Sequence, residues 1–226
     1  MSYSGKLIVI EGACDGIGKT TQYEMLCQRL KEDGHKIYTH HFPSYGTVQG
    51  EGVEKFLKGE FGEPKMLSPY FVNELYAYDR KVTWDNELSK YFKEGYNIVL
   101  DRYTTSSIIY QSVFLDSLEE KKKFIDYVSQ YEYEELKIKK PDLVLFLTAP
   151  FEVALKLKQG RLDNDGIKND VFERDIELME KIYHNANFIA DYLKWDIIPC
   201  SLDGVTFRDR QDINNDVYKL VKQKIK

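Results

Sequence analysis

The sequence predicts an α/β protein: a three-layer α/β/α fold with a five-stranded parallel sheet flanked by helices. Three observations lead there. Five short apolar runs, LIVIE (7–11), KIYTHHF (36–42), NIVLD (97–101), LVLFL (143–147) and DIIPC (196–200), are spread along the 226 residues. Longer helical patterns fill the gaps, and this β–α alternation implies parallel pairing with helices on both faces. Three of the runs are continuous in leucine and β-branched residues, as strands covered on both faces are.

The first strand leads into EGACDGIGKTTQ, Glu11 to Gln22. These residues nearly fit G-x-x-x-x-G-K-[ST], a loop whose backbone N–H groups converge on phosphate while a helix N-terminus adds partial positive charge. Counting back from Gly18-Lys19-Thr20, the pattern wants glycine at 13. Ala13 stands there instead, and the glycine is Gly12. The surplus residue lies upstream of Asp15-Gly16-Ile17-Gly18-Lys19-Thr20-Thr21, so a bulge at the strand exit would leave the phosphate nest intact. Lys19 would reach the β- and γ-phosphates of a nucleotide, and Thr20 would hold Mg²⁺. A strand–helix turn that binds nothing is the alternative.

A helix from Thr20 to Asp33 follows and stops at Gly34. Ser68-Pro69, an N-cap followed by a first-turn proline, opens a segment running to about Lys93. Asp101 and Arg102 end the third strand, at the sheet edge where parallel α/β folds bind ligands. There Asp101 would hold Mg²⁺ or its waters, and Arg102 would clamp a phosphate. Helices are expected at Thr105–Leu115, Leu118–Glu135, from Ala149-Pro150 to about Gln159, Val171–Leu193 and Asp212–Ile225. The polar stretch QGRLDNDGIKND (159–170) between two of them reads as a lid or a plain surface loop. The whole, 1–226, reads as one domain with that short lid.

Composition narrows the partners. A net charge of −5 with a pI near 5.5 argues against broad nucleic-acid binding. No apolar run approaches the ~18 residues of a membrane span, and LIVI is too short for a signal peptide. Cys14, Cys27 and Cys200 form no CxxC pair, and the histidines at 35, 40, 41 and 184 show no metal-ligand spacing. No membrane or nucleic-acid partner and a cytoplasmic setting are expected. Of the 32 cations only seven are arginines, at 29, 80, 102, 161, 174, 208 and 210. A lysine-rich chain that keeps an arginine at a special place has use for its planar fork.

Taken together, EG…DGIGKTTQ, HFPSYG (41–46), LYAYDR (75–80), DRYTTSSIIYQ (101–111) and KPDLVLFL (140–147) resemble thymidylate kinases of the P-loop nucleoside monophosphate kinase family. The resemblance is collinear from about Leu7 to Tyr183. It implies a Mg²⁺-dependent transfer of the ATP γ-phosphoryl to dTMP by a homodimer. It implies an ATP site at Asp15, Gly16, Ile17, Gly18, Lys19, Thr20 and Thr21. On the acceptor side it implies that Tyr76 stacks on thymine and Arg80 hydrogen-bonds the base. Asp15 would bind the sugar 3′-hydroxyl, Phe42 and Pro43 would line the nucleoside pocket, and Arg102 would hold the acceptor phosphate. Ser106, Ser107, Tyr110 and Gln111 would wall the sugar and base, a tyrosine near the 2′ carbon favouring deoxyribose. For Tyr76 and for these last four, plain helix packing is the competing reading.

Two departures stand out. Where many members carry an arginine two places after Phe-Pro, this chain has Tyr45, which throws weight onto Arg102 and a lysine. The loop also has no arginine at Gly16 or Ile17, and members lacking it place one in the lid; Arg161 is the candidate, Arg174 the runner-up. Lys19, Arg102, Arg161 and Asp15 are then the catalytic set. A deoxynucleoside kinase, drafting Asp101 as base, and a non-catalytic nucleotide-binding regulator remain alternatives at this point.

Overall fold

The structure, a computed structural model, describes residues 5–165, 171–172 and 175–225, with the backbone alone in 159–165. The five expected strands form one parallel sheet: β1 (Leu7–Gly12), β2 (Ile37–His41), β3 (Asn97–Asp101), β4 (Leu143–Thr148) and β5 (Asp196–Pro199). Their order is β2-β3-β1-β4-β5. β1 therefore sits at the centre, and all six of its residues are buried. Its side chains alternate between two apolar layers. Ile8 and Ile10 join Leu26 and Leu30 of α1 (Lys19–Glu32) and Val217 and Val221 of a C-terminal helix. Leu7 and Val9 point the other way, toward Phe42, Leu88 and Leu100. Each such fully buried aliphatic side chain contributes about 1.5–3 kcal/mol.

The remaining helices are α2 (Glu51–Lys58), α3 (Pro69–Thr83), α4 (Ser89–Lys93), α5 (Thr104–Ser112), α6 (Leu118–Val128), α7 (Phe151–Asp165), α8 (Ile176–Tyr192) and α9 (Arg210–Lys224). Several expectations need correction. The segment begun at Ser68 changes register: a π-helical stretch, Trp84–Leu88, joins α3 to α4, and the Ser68 side chain makes no capping bond. The helix expected to reach Glu135 is α-helical only to Val128 and continues as a π-helix, Ser129–Glu135. α8 begins at Ile176 rather than Val171, because Asp175 turns its carboxylate onto the free N–H groups of Glu177 and Leu178. α2 and a short 3₁₀ turn, Pro64–Met66, occupy a stretch to which the sequence reading assigned no element.

The lid expectation is altered in part. α7 does not end near Gln159 but runs to Asp165, so the first half of 159–170 is helical. Residues 166–170 and Arg174 lie outside the described residues, as does the side chain of Arg161.

Candidate active site

β1 delivers the phosphate loop to the carboxyl edge of the sheet. Strand pairing persists past Gly12, since Ala13 N–H donates to Leu147 O at 2.9 Å. Ala13 is buried and is not among the residues with positive φ, so alanine costs nothing there. The close approach falls on Gly12 instead. A β-carbon there would stand 2.6 Å from Ile17 Cγ2 and 3.0 Å from Lys19 Cγ. The loop glycine has thus moved to the last strand residue, where the lysine stem crosses the backbone. Gly16 and Gly18 carry the left-handed φ values, 88° and 91°, that turn the loop. Gly12→Ala is expected to raise KM for ATP by about 5- to 150-fold, by an overpacking strain of ~1–3 kcal/mol beside Lys19. Ala13→Gly should leave it within about twofold; initial-rate kinetics at varied ATP compares the two.

Inside the loop, Lys19 Nζ donates to Cys14 O at 3.2 Å and to Asp15 Oδ1 at 3.1 Å. Asp15 also takes the Arg102 Nη2 donor on Oδ1 and the Tyr110 hydroxyl on Oδ2. Burial disfavours its charge, but Arg102 and Lys19 outweigh burial and hold the carboxyl far below the usual carboxylate range. Burial pushes the Tyr110 hydroxyl up, so it stays a donor, and pushes the Cys14 thiol up to about 12, so this loop cysteine is no nucleophile.

Arg102 follows β3 at φ 66°, a left-handed conformation that a side chain with a Cβ adopts only when its surroundings fix it. Its N–H bonds Ile10 O at 3.1 Å, tying the corner to β1. Its guanidinium reaches Asp15, the Tyr110 hydroxyl at 3.3 Å and Glu11 Oε1 at 4.0 Å.

All ten residues expected on the acceptor side, from Asp15 and Phe42 through Tyr76 and Arg80 to Gln111, line a single cleft beside this corner. Tyr45, Leu57, Tyr103 and Phe172 line it too. Tyr76 and Arg80 face each other one turn apart on α3, with the guanidinium carbon 6.0 Å from the ring centre. Arg80 is not loose in the cleft, since Glu132 holds it by two 2.7 Å bonds and Ser107 by a third of 3.0 Å. The Ser106 hydroxyl is turned onto Glu11.

Residues 10–202 match the sequence family described as thymidylate kinase. The chain belongs to the thymidylate kinase family. A thymidylate kinase of Mycobacterium tuberculosis is 34% identical over 180 residues, 77% of this chain and 81% of that protein. One of Caldicellulosiruptor saccharolyticus is 33% identical over 190 residues, 84% of this chain and 85% of that one. One of Plasmodium falciparum is 30% identical over 219 residues, 96% and 90% of the two chains. As a thymidylate kinase the chain uses ATP as phosphoryl donor, and neither the deoxynucleoside kinase nor the regulator reading gains support.

Several residues of this thymidylate kinase site were missed in the sequence. Glu11 is fully buried and accepts from Gly12 N–H, Thr105 and Ser106, clamping β1 to α5. Lys158 of α7 backs the loop: a β-carbon at Gly16 would stand 2.9 Å from Lys158 Cβ. Phe207, in the segment 201–226 that shows no readable motif, reaches within 3.8 Å of where a Gly18 β-carbon would lie. Glu132, the partner of Arg80, is a fourth. The two histidines of β2 part company: His40 Nε2 meets the Ser44 hydroxyl at 3.0 Å, while His41 Nδ1 stands 3.2 Å from Asp101 Oδ2.

Asp101 Oδ1, by contrast, is buried with no hydrogen-bond partner. Burial opposes its charge, but His41, Arg102 and Lys19 prevail and keep the carboxyl below its usual range. An ionised oxygen left over at a phosphate loop suits a hard cation. Among the described residues no group of three or more His, Cys, Asp or Glu side chains is placed to hold a metal ion by itself. Thr20, exposed in the first turn of α1, adds a hydroxyl.

Proposed function

We infer that the chain moves the γ-phosphoryl of ATP to the 5′-phosphate of dTMP, giving ADP and dTDP, with the residues above in the following roles. One observation carries this reading: the phosphate loop and the acceptor cleft share Asp15 and meet at Arg102. Loop amides and Lys19 hold the donor phosphates. Arg102 holds the acceptor phosphate, Tyr76 stacks on the base and Arg80 donates to a base carbonyl. Mg²⁺, held by Thr20 and Asp101, would offset negative charge on the donor phosphates.

An acceptor phosphate oxygen forms a bond to the γ-phosphorus as the bond to the β,γ-bridging oxygen breaks and ADP leaves. The second pKa of a phosphate monoester is about 6, so the acceptor is mainly a dianion at neutral pH and needs no general base. Alignment and charge stabilisation supply the rate. Asp15 and Asp101 have lowered pKa values, so their stabilising contribution is present above the ordinary carboxylate pKa of about 4 and is lost only as pH falls below it. Accordingly kcat/KM for dTMP is expected to fall with unit slope below about pH 6, following the substrate phosphate. A pH–rate profile checks this; an acid limb beginning near pH 4 would contradict it.

A coupled ADP-release assay tests the activity itself: dTMP accelerates release and thymidine does not. Acceleration by thymidine alone, or release indifferent to acceptor, would refute the assignment. Within a single kinase unit, 1–226, we assign the lid role to about 159–170 and the stabilisation of the transferring group to Arg161. Arg161→Ala should therefore lower kcat about 10²-fold or more, with a smaller change in dTMP affinity; wild-type kcat would remove the residue from the lid role. We also place the protein in the cytoplasm as a homodimer. Its three cysteines are free and buried, and α3 exposes Phe71 and Tyr78 on its outer side. Sedimentation at micromolar concentration reads the oligomeric state.

A further inference from the structure

We propose that Glu132 is a specificity-determining positioning residue of the acceptor site, acting by presetting the guanidinium of Arg80 for the thymine base. The proposal rests on the reading of Arg80 as the donor to the base.

The side chains of Arg80 and Glu132 are 1% and 0% exposed. Glu132 takes Nε on one oxygen and Nη2 on the other, each at 2.7 Å. That fork-to-fork geometry fixes the guanidinium plane as a single charge-assisted bond would not. Ser107 Oγ accepts from Nη2 at 3.0 Å and closes that edge. Nη1 is left with one long bond, 3.4 Å, to Tyr103 O, and Arg80 lines the acceptor cleft. Nη1 is thus the edge available to a ligand.

The surroundings fix Glu132 in turn. It lies four residues beyond Val128 and eight beyond Phe124, the buried stripe of α6, so an acid occupies a core position. The helix widens to a π turn at this point. The neighbouring Tyr133 hydroxyl bonds Thr104 Oγ1, and Ile138 N–H bonds Glu132 O at 3.1 Å. Burial opposes the charge of Arg80, but Glu132 outweighs it and raises the guanidinium pKa. A paired, oriented guanidinium has already lost its rotamer freedom, so a neutral carbonyl gains most of the bond it makes. Replacing the acid with an amide removes one acceptor and the charge, and frees the plane to tilt.

Steady-state kinetics of Glu132→Gln is the test, with dTMP and ATP varied in turn. The expected result is a KM for dTMP raised about tenfold, the worth of roughly 1.4 kcal/mol, with kcat and KM for ATP within about twofold of wild type. Glu132→Asp, which keeps the charge, should fall between the two. In the neutral background Arg80→Gln, adding Glu132→Gln should raise KM for dTMP no further. An unchanged KM for dTMP in Glu132→Gln, or a parallel loss of kcat and both affinities reproduced in Glu132→Asp, would overturn the proposal. If Arg80→Gln itself leaves KM for dTMP unchanged, the reading of Arg80 fails instead, and the two failures are told apart. Should Glu132→Gln not fold, Glu132→Asp decides alone: a selective rise in KM for dTMP supports the proposal and wild-type values refute it.

Discussion

Replacing Lys19 with alanine should lower kcat by at least about 10³-fold while the protein stays folded. Lys19 is nearly buried, and its stem crosses Gly12 at the base of the loop. Its ammonium rests on Cys14 O and Asp15 Oδ1, within the concavity formed by the loop. As the γ-phosphoryl transfers, charge spreads over its outer oxygens, and a cation already fixed at that place stabilises the change without reorganising. Alanine keeps helix propensity in the first turn of α1, and Asp15 keeps Arg102 as its partner, so the fold loses little. The measurement is single-turnover kcat beside a thermal melt. A variant that melts with wild type yet turns over within tenfold of it would show that the loop amides suffice and that Lys19 is not catalytic.

What could be read in advance depended on how local the cause was. β1, β3 and β4 were legible because burial on both faces forces a continuous apolar run, visible without knowing any neighbour. The phosphate loop was legible for the same reason, since its spacing is set by one strand, one turn and one helix. α2 was not. It is two turns long, bounded by Gly50 and Gly59, and buries only Val53 and Phe56, too short a stretch for a period to declare itself. Yet it carries Leu57 to the cleft. Ala13 looked like a defect in the pattern because the pattern counts residues, whereas the requirement is for a missing Cβ where Lys19 crosses the chain. Glu11 and Glu132 were hidden in a different way. Each is an acid whose partners lie 94 and 52 residues away, and no window along the chain brings such pairs together. The position of Glu132 on the stripe Phe124, Val128, Glu132 was the one available sign, because a charge on a core stripe demands a buried partner.

Removing Arg102 should be comparably damaging, but on the acceptor side. Arg102→Ala is expected to lower kcat/KM for dTMP about 10³-fold with KM for ATP changed far less. The guanidinium is held among Asp15, the Tyr110 hydroxyl and Glu11, so without it Asp15 keeps Lys19 as its one cationic partner and the cleft loses the cation that would meet the incoming phosphate. Tyr45 stands in the same cleft and offers no charge to replace it. The cost in stability should be about 2 kcal/mol, less than for a fully buried pair because the Arg102 side chain is 19% exposed. Two further variants separate the contributions. Arg102→Lys keeps the charge but not the fork, and should recover part of kcat/KM. Arg102→Gly removes the same guanidinium as alanine but is at ease at φ 66°, so it should be more stable than Arg102→Ala by about 1 kcal/mol while equally inactive. Thermal melts and dTMP kinetics on the three read both effects. If alanine and glycine melt together, the left-handed corner is not strained. If lysine behaves as wild type, the site needs a cation there and not a planar one.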